Sequence, residues 1–142
     1  MKTKWQVGLA ALIAGLAVTG LAWAHGDVVP QAVDTTGLTP LGEDLQAENP
    51  YRNAPDYDLA QKIGEKAFNQ NCARCHGLGA VSGGIAPDVR FLIPVDDDGY
   101  FLSRVMTGSI RNGVTYMPPF EGVLSQEAIW AIRSWLDTVA EQ

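Results

Sequence analysis

Cys72-Ala73-Arg74-Cys75-His76 places two thiols three positions apart, with an imidazole immediately after the second. This C-x-x-C-H order is the arrangement used for covalent haem attachment. Each thiol can add to a vinyl group of the macrocycle, and the imidazole of His76 can reach the iron from the same short segment. Redox dithiols and half zinc sites share the C-x-x-C part. A zinc ribbon needs further ligands, yet the chain has only two cysteines and two histidines, so His25 alone would remain. A thioredoxin-like dithiol needs an α/β pattern, which the flanking sequence lacks. The stretch therefore predicts one haem c held by Cys72 and Cys75, with His76 on the iron and no thiol left for a disulfide.

The second axial ligand has three methionines to come from. Met1 leaves with a predicted export signal, and Met106 falls on the apolar face of a predicted helix, where packing is the better reading. Met117 stands in Gly113-Val114-Thr115-Tyr116-Met117-Pro118-Pro119, a loop stiffened by two prolines. A thioether in such a frame reaches iron without a large ordering cost, so Met117 is the expected ligand.

Around these residues the pattern is helical. Residues 58–69 carry Leu59, Ile63 and Ala67 at helical spacing, with Asp58 as the expected N-cap. Residues 81–97 contain Gly83, Gly84, Pro87 and Pro94 and read as loop. Residues 99–109 form a short helix through Phe101, Leu102, Val105 and Met106. Residues 113–123 are loop again, and 125–140 carry Ile129, Ile132, Trp135, Leu136 and Val139 on one stripe behind a Ser125 cap. No strand pattern and no repeat is read.

The 142 residues, with 46% hydrophobic and 18% charged, suit one domain plus an extension and exclude a two-domain enzyme or global disorder. A net charge of −6 offers no footprint for nucleic acid. Lys2 and Lys4, an uncharged run over residues 7–22, and Ala22-Trp23-Ala24 make the three-part order of a secretory signal over residues 1–24. An uncleaved anchor is the alternative, but the switch to His25-Gly26-Asp27 favours cleavage. The mature chain would carry −8, no further membrane span, and a periplasmic location. Its residues 25–57 form a Pro-rich acidic extension whose spaced apolar residues (Val33, Leu38, Leu41, Tyr51 among them) predict packing along the domain of residues 58–142.

Helix, C-x-x-C-H, Gly/Pro loop, helix, Met-Pro loop and final helix together resemble a class I c-type cytochrome over residues 58–142. The resemblance implies an all-α class I cytochrome c fold, with first and last helices crossing and short helices and loops around one covalently bound haem. It implies that Gly64 and Phe68 cross Ile132 and Trp135, and that the Pro87 carbonyl accepts the other N–H of His76. Arg90 and Arg111 are candidates to pair with haem propionates, Arg90 being the one favoured. Trp130 either donates to a propionate or packs. Asp96-Asp97-Asp98-Gly99 is read as a solvated turn with Asp98 capping the next helix rather than a calcium loop. His25 at a new N-terminus is treated as a coincidence of processing, not a copper site.

His25-Gly26-Asp27-Val28-Val29-Pro30-Gln31, Asn49-Pro50-Tyr51-Arg52 and residues 71–77, 82–90 and 124–133 are similar to the periplasmic cytochromes that accept electrons from PQQ-dependent alcohol dehydrogenases. That resemblance implies the dehydrogenase as donor, and a terminal oxidase or other respiratory acceptor beyond. Two axial ligands leave no open iron position, so a one-electron carrier is expected rather than an enzyme, with a monomer sufficing. A carrier for another periplasmic dehydrogenase or a direct donor to a terminal oxidase is the nearest alternative. A haem sensor or peroxidase-like protein with a displaceable sixth ligand is the alternative of a different class. Lys62 and Lys66 are the only lysines after residue 24, so the docking face is expected to be apolar and weakly charged, or acidic.

Overall fold

The computed structural model describes residues 29–91 and 97–141. The expected export segment, His25 and Asp96 lie outside them. Among the described residues, four helices carry the fold: α1 (Tyr57–Asn71), α2 (Ala73–His76), α3 (Asp98–Thr107) and α4 (Gln126–Val139). Single 3₁₀ turns occupy Pro50–Asn53 and Leu78–Ala80. Among the described residues, no helix is long and apolar enough to cross a membrane.

The core is the crossing of α1 and α4. Gly64 is where the two backbones meet: a Cβ there would overlap the Ala131 carbonyl. Ala60, Ala67, Ala128 and Ala131 are fully buried, and these small residues let the helices close. The larger side chains flank the contact, with Phe68 and Trp135 rings tilted at 45° and 4.9 Å between centroids. Gly64→Ala would gain about 1 kcal/mol of helix propensity. Against that stands overpacking onto immovable backbone, at or above the usual cost of about 3 kcal/mol. Overpacking wins, and thermal denaturation of the haem-loaded protein should show a midpoint lower by roughly 10 °C or more.

The extension packs because α1 and α4 offer it polar partners. Residues 29–56 have little regular structure, so their backbone N–H groups need side-chain acceptors. Asn71 accepts from Gln31 N (2.7 Å), Glu127 from Leu41 N (2.9 Å) and Gln126 from Gln46 N (3.2 Å). Gln126 also donates to the Gly42 carbonyl at 2.6 Å. Covered in this way, residues 128–136 of α4 are buried on every face, and even Arg133 and Ser134 are 1% and 0% exposed.

Two capping expectations are corrected. Helix α1 starts at Tyr57, one residue before the expected cap, so Asp58 sits in its first turn. The residue at the cap position is Asp56, whose carboxylate accepts instead from Thr39 N at 2.6 Å. Helix α3 is capped by Asp97, which accepts from Tyr100 N at 2.9 Å. That frees Asp98 to turn inward, where it is 3% exposed and binds Arg52 (2.6 Å) and Arg133 (2.8 Å). Arg52 and Arg133 also reach Asp137, at 2.8 and 3.2 Å. The network ties the extension to α3 and α4 with two charges of each sign. The acid run is thus partly buried rather than a solvated turn.

Two strands also form where only loop was expected: β1 (Ser109–Arg111) and β2 (Val114–Met117), an antiparallel hairpin. Asn112 and Gly113 at its tip both have positive φ (50° and 77°), the Asn-Gly signature of a two-residue hairpin. That dipeptide was present in the sequence and outweighs the weak alternation around it.

Candidate functional site

Helix α2 continues α1 with only Cys72 between them. The N–H groups of Cys75 and His76 both donate to the Cys72 carbonyl at 3.0 Å. One helical turn therefore brings residues 72, 75 and 76 to one side, since i, i+3 and i+4 share a face. All three line a single cleft. No disulfide joins the cysteines. Burial, with a smaller contribution from Cys75, pushes the Cys72 thiol up to about 12. A dithiol poised for redox exchange needs the opposite shift, which argues against that use of C-x-x-C.

The imidazole of His76 is oriented from outside the helix. Its Nδ1 lies 2.9 Å from the Pro87 carbonyl. A carbonyl only accepts, so Nδ1 carries the hydrogen, and in the neutral ring the lone pair then lies on Nε2. The Pro87 contact implied by the resemblance is thus present.

Met117 reaches the same cleft from the end of β2. Ser109 pairs with Met117 and Ile110 with Thr115, so Tyr116 is an extra residue, a bulge. Neighbouring residues of a regular strand face opposite ways, whereas the bulge lets Tyr116 and Met117 both line the cleft. Gly108, just past α3, is packed against the Met117 carbonyl and Pro118, where a Cβ would collide. Phe120 N donates to Val105 O at 3.1 Å, returning the chain to α3. The frame around Met117 is therefore a bulged hairpin as well as a pair of prolines.

The cleft encloses about 400 Å³, within the usual range for a cofactor pocket. Phe68, Phe101, Val105, Phe120, Ile132 and Leu136 make its apolar wall. Among the described residues, its charged side chains are Arg104 and Arg111, and no carboxylate lines it. Arg104 lies over the Tyr100 ring (5.4 Å) and donates to the Gly108 carbonyl at 3.0 Å; Arg111 lies over Tyr116 at 5.8 Å. These residues fit a haem: an apolar wall for the ring, thiols and imidazole on one segment, a thioether on another, and cations for its carboxylates.

Two candidates for the propionates are not among the residues that line the cleft. Arg90 does not line the cleft; its guanidinium is held by Asp88 (2.9 Å) and by Glu141. One partner stands two residues before it in the loop and the other 51 residues after it, beyond α4. Trp130 is fully buried beside Phe101, with ring centroids 6.5 Å apart, and does not line the cleft. Its indole N–H has no hydrogen-bond partner among the described residues. Arg104 was missed, although its place on α3 one turn from Phe101 was a visible cue.

Residues 60–136 match the family profile described as cytochrome c oxidase, cbb3-type, subunit III. The chain is 55% identical over 130 residues to cytochrome c550 of Pseudomonas aeruginosa, covering 90% of each protein. It is 36% identical over 75 residues to the quinohemoprotein alcohol dehydrogenase ADH-IIG of Pseudomonas putida, covering 53% of this chain and 10% of that one. A dehydrogenase subunit of the quinone alcohol dehydrogenase of Gluconobacter oxydans is 35% identical over 127 residues, covering 88% of this chain and 16% of that one. No solved structure matches. With the crossing helices, the C-x-x-C-H turn and the apolar cleft all in place, the chain belongs to this c-type cytochrome family, as an electron-transfer protein carrying covalently bound haem c.

Proposed function

We propose that the protein is a periplasmic monohaem carrier taking single electrons from a quinoprotein (PQQ-dependent) alcohol dehydrogenase towards the respiratory chain. Residues 1–24 act as its export signal, 25–57 as the extension and 58–142 as the haem domain. Cys72 and Cys75 form the thioether links, and His76 Nε2 and the Met117 sulfur are the axial ligands. Arg104 and Arg111, rather than Arg90, meet the carboxylates. The bound haem supplies reversible one-electron chemistry. The chain supplies the rest: a thioether and a dry wall that favour the reduced state, and two ligands that exclude substrate from the metal. The observation that carries this reading is the Nδ1–H bond to Pro87, which frees Nε2 in the same apolar cleft that Met117 lines.

The donor is supported by the alcohol dehydrogenases in which a similar stretch is part of the enzyme's own chain. Docking is supported by the surface beside the attachment turn. Residues 77–87 carry no charged side chain, and Leu78, Val81 and Ile85 there are 76%, 53% and 78% exposed. Such a face docks through apolar contact, with little electrostatic steering. The test is to mix the ferric protein with a PQQ-dependent alcohol dehydrogenase and its alcohol. Reduction on adding alcohol is expected, its rate changing less than about twofold between low and physiological ionic strength. No reduction by an enzyme active with artificial acceptors would reject the donor. A rate rising steeply with salt would reject the docking face.

A further inference from the structure

The Pro87 carbonyl sits in a segment that has little stiffness of its own. Ser82-Gly83-Gly84-Ile85-Ala86 precedes it, and Gly84 adopts φ +93°. Glycine pairs retain conformational freedom, so an acceptor carried on them must be held from outside.

The structure holds it on both sides of Pro87. Ahead of it, the Ser82 hydroxyl donates to the Ala86 carbonyl and accepts from Gly84 N at 3.0 Å. Behind it, Asp88 Oδ2 accepts from Ser82 N (3.2 Å) and Arg90 Nη2 (2.9 Å). Asp88 Oδ1 accepts from Arg90 N (3.1 Å) and Arg90 Nε (3.0 Å). Arg90 is anchored in turn by the Glu141 carboxylate, and its carbonyl accepts from Glu141 N at 3.0 Å. The far end of the cluster is therefore the segment just beyond α4, the best-packed helix of the fold.

We infer that Ser82, Asp88, Arg90 and Glu141 form a positioning device for His76, holding the Pro87 carbonyl against Nδ1–H and so setting the basicity of Nε2. The inference rests on the ligand role of His76 proposed above. A well-held Nδ1–H bond gives the ring anionic character and strengthens it as a ligand, most of all for ferric iron. The intact cluster thus holds the potential down, opposing the thioether and the dry wall. A cluster that only braced the loop would change stability and leave the potential and the exchange of the ring proton where they were.

Ser82→Ala and Asp88→Ala, made in the haem-loaded protein, test this by spectroelectrochemical titration and by proton exchange at the His76 ring nitrogen. At a fixed potential near the wild-type midpoint, the ferrous-to-ferric ratio should rise about threefold to tenfold, an upward shift of at most about 59 mV for one electron. Exchange of the ring proton should quicken roughly tenfold as the bond opens more often. Asp88→Asn, which keeps an acceptor for Ser82 N, should move both readings less. Should Asp88→Ala fail to load haem, Ser82→Ala removes only a hydroxyl and decides by the same readings. Wild-type values in both alanine variants would overturn the inference while leaving the ligand assignment intact. A wild-type spectrum without histidine–methionine ligation would overturn that assignment and the inference with it.

Discussion

Met117→Ala is expected to abolish the far-red methionine–iron band of the ferric protein and to let carbon monoxide bind rapidly once the protein is reduced. Axial-ligand identity spans about 0.8 V across haem proteins, so the potential should fall by on the order of 100 mV. Rescue by a neighbour is opposed by the frame. Met106 is half-buried against the core and does not line the cleft. Gly108 packed under the Met117 carbonyl, with Pro118 and Pro119 following, leaves the hairpin end little room to shift. Absorption spectra and a redox titration of the purified variant check both parts. An unchanged spectrum and potential would remove Met117 from the site.

Asp98→Ala is expected to cost about 3 kcal/mol or more of stability, because it leaves Arg133 buried and short of a counter-charge. The remaining bond to Asp137 (3.2 Å) places the cost at the lower end of that class. The pH dependence follows from the same geometry. Burial pushes the Asp98 carboxyl up, but hydrogen bonds from Arg52, Arg133 and Asn49 N outweigh it and hold the carboxyl below its ordinary value of 3.8. A depressed carboxylate pKa contributes stability above the unfolded value, and that contribution is lost as pH falls through the folded one. The variant should therefore be weaker at pH 7 and lose less on acidification below about pH 4. Urea titrations of both proteins at pH 7 and pH 3 measure the two differences. Parallel losses at both pH values would show that Asp98 acts through packing alone.

The two residues also differ in how far the sequence revealed them. The ligand role proposed for Met117 was legible because its cue is local: a methionine before two prolines, downstream of the C-x-x-C-H motif. Its support was not. The bulge at Tyr116 and the contact with Gly108 depend on how the hairpin packs on the end of α3. Asp98 was misread as a cap because aspartate before a helix is a good cap, and its neighbour Asp97 satisfies the same rule. Which of the two turns inward depends on Arg52, 46 residues away, and Arg133, 35 residues away. Arg90, a candidate for the propionates, is held instead by Asp88 two residues before it and by Glu141, 51 residues on.

By itself, the sequence determined the cofactor chemistry and the helical class, and its family resemblance implied the crossing at Gly64. Cys72, Cys75 and His76 lie within one helical turn, and helical faces are written in spacings of three and four. Only the tertiary structure decided which cations face the cleft, which acid is buried, and how the Pro87 carbonyl is held at His76. Those choices belong to side chains whose partners are distant in the chain, and a charged group selects among them by burial and geometry rather than by spacing.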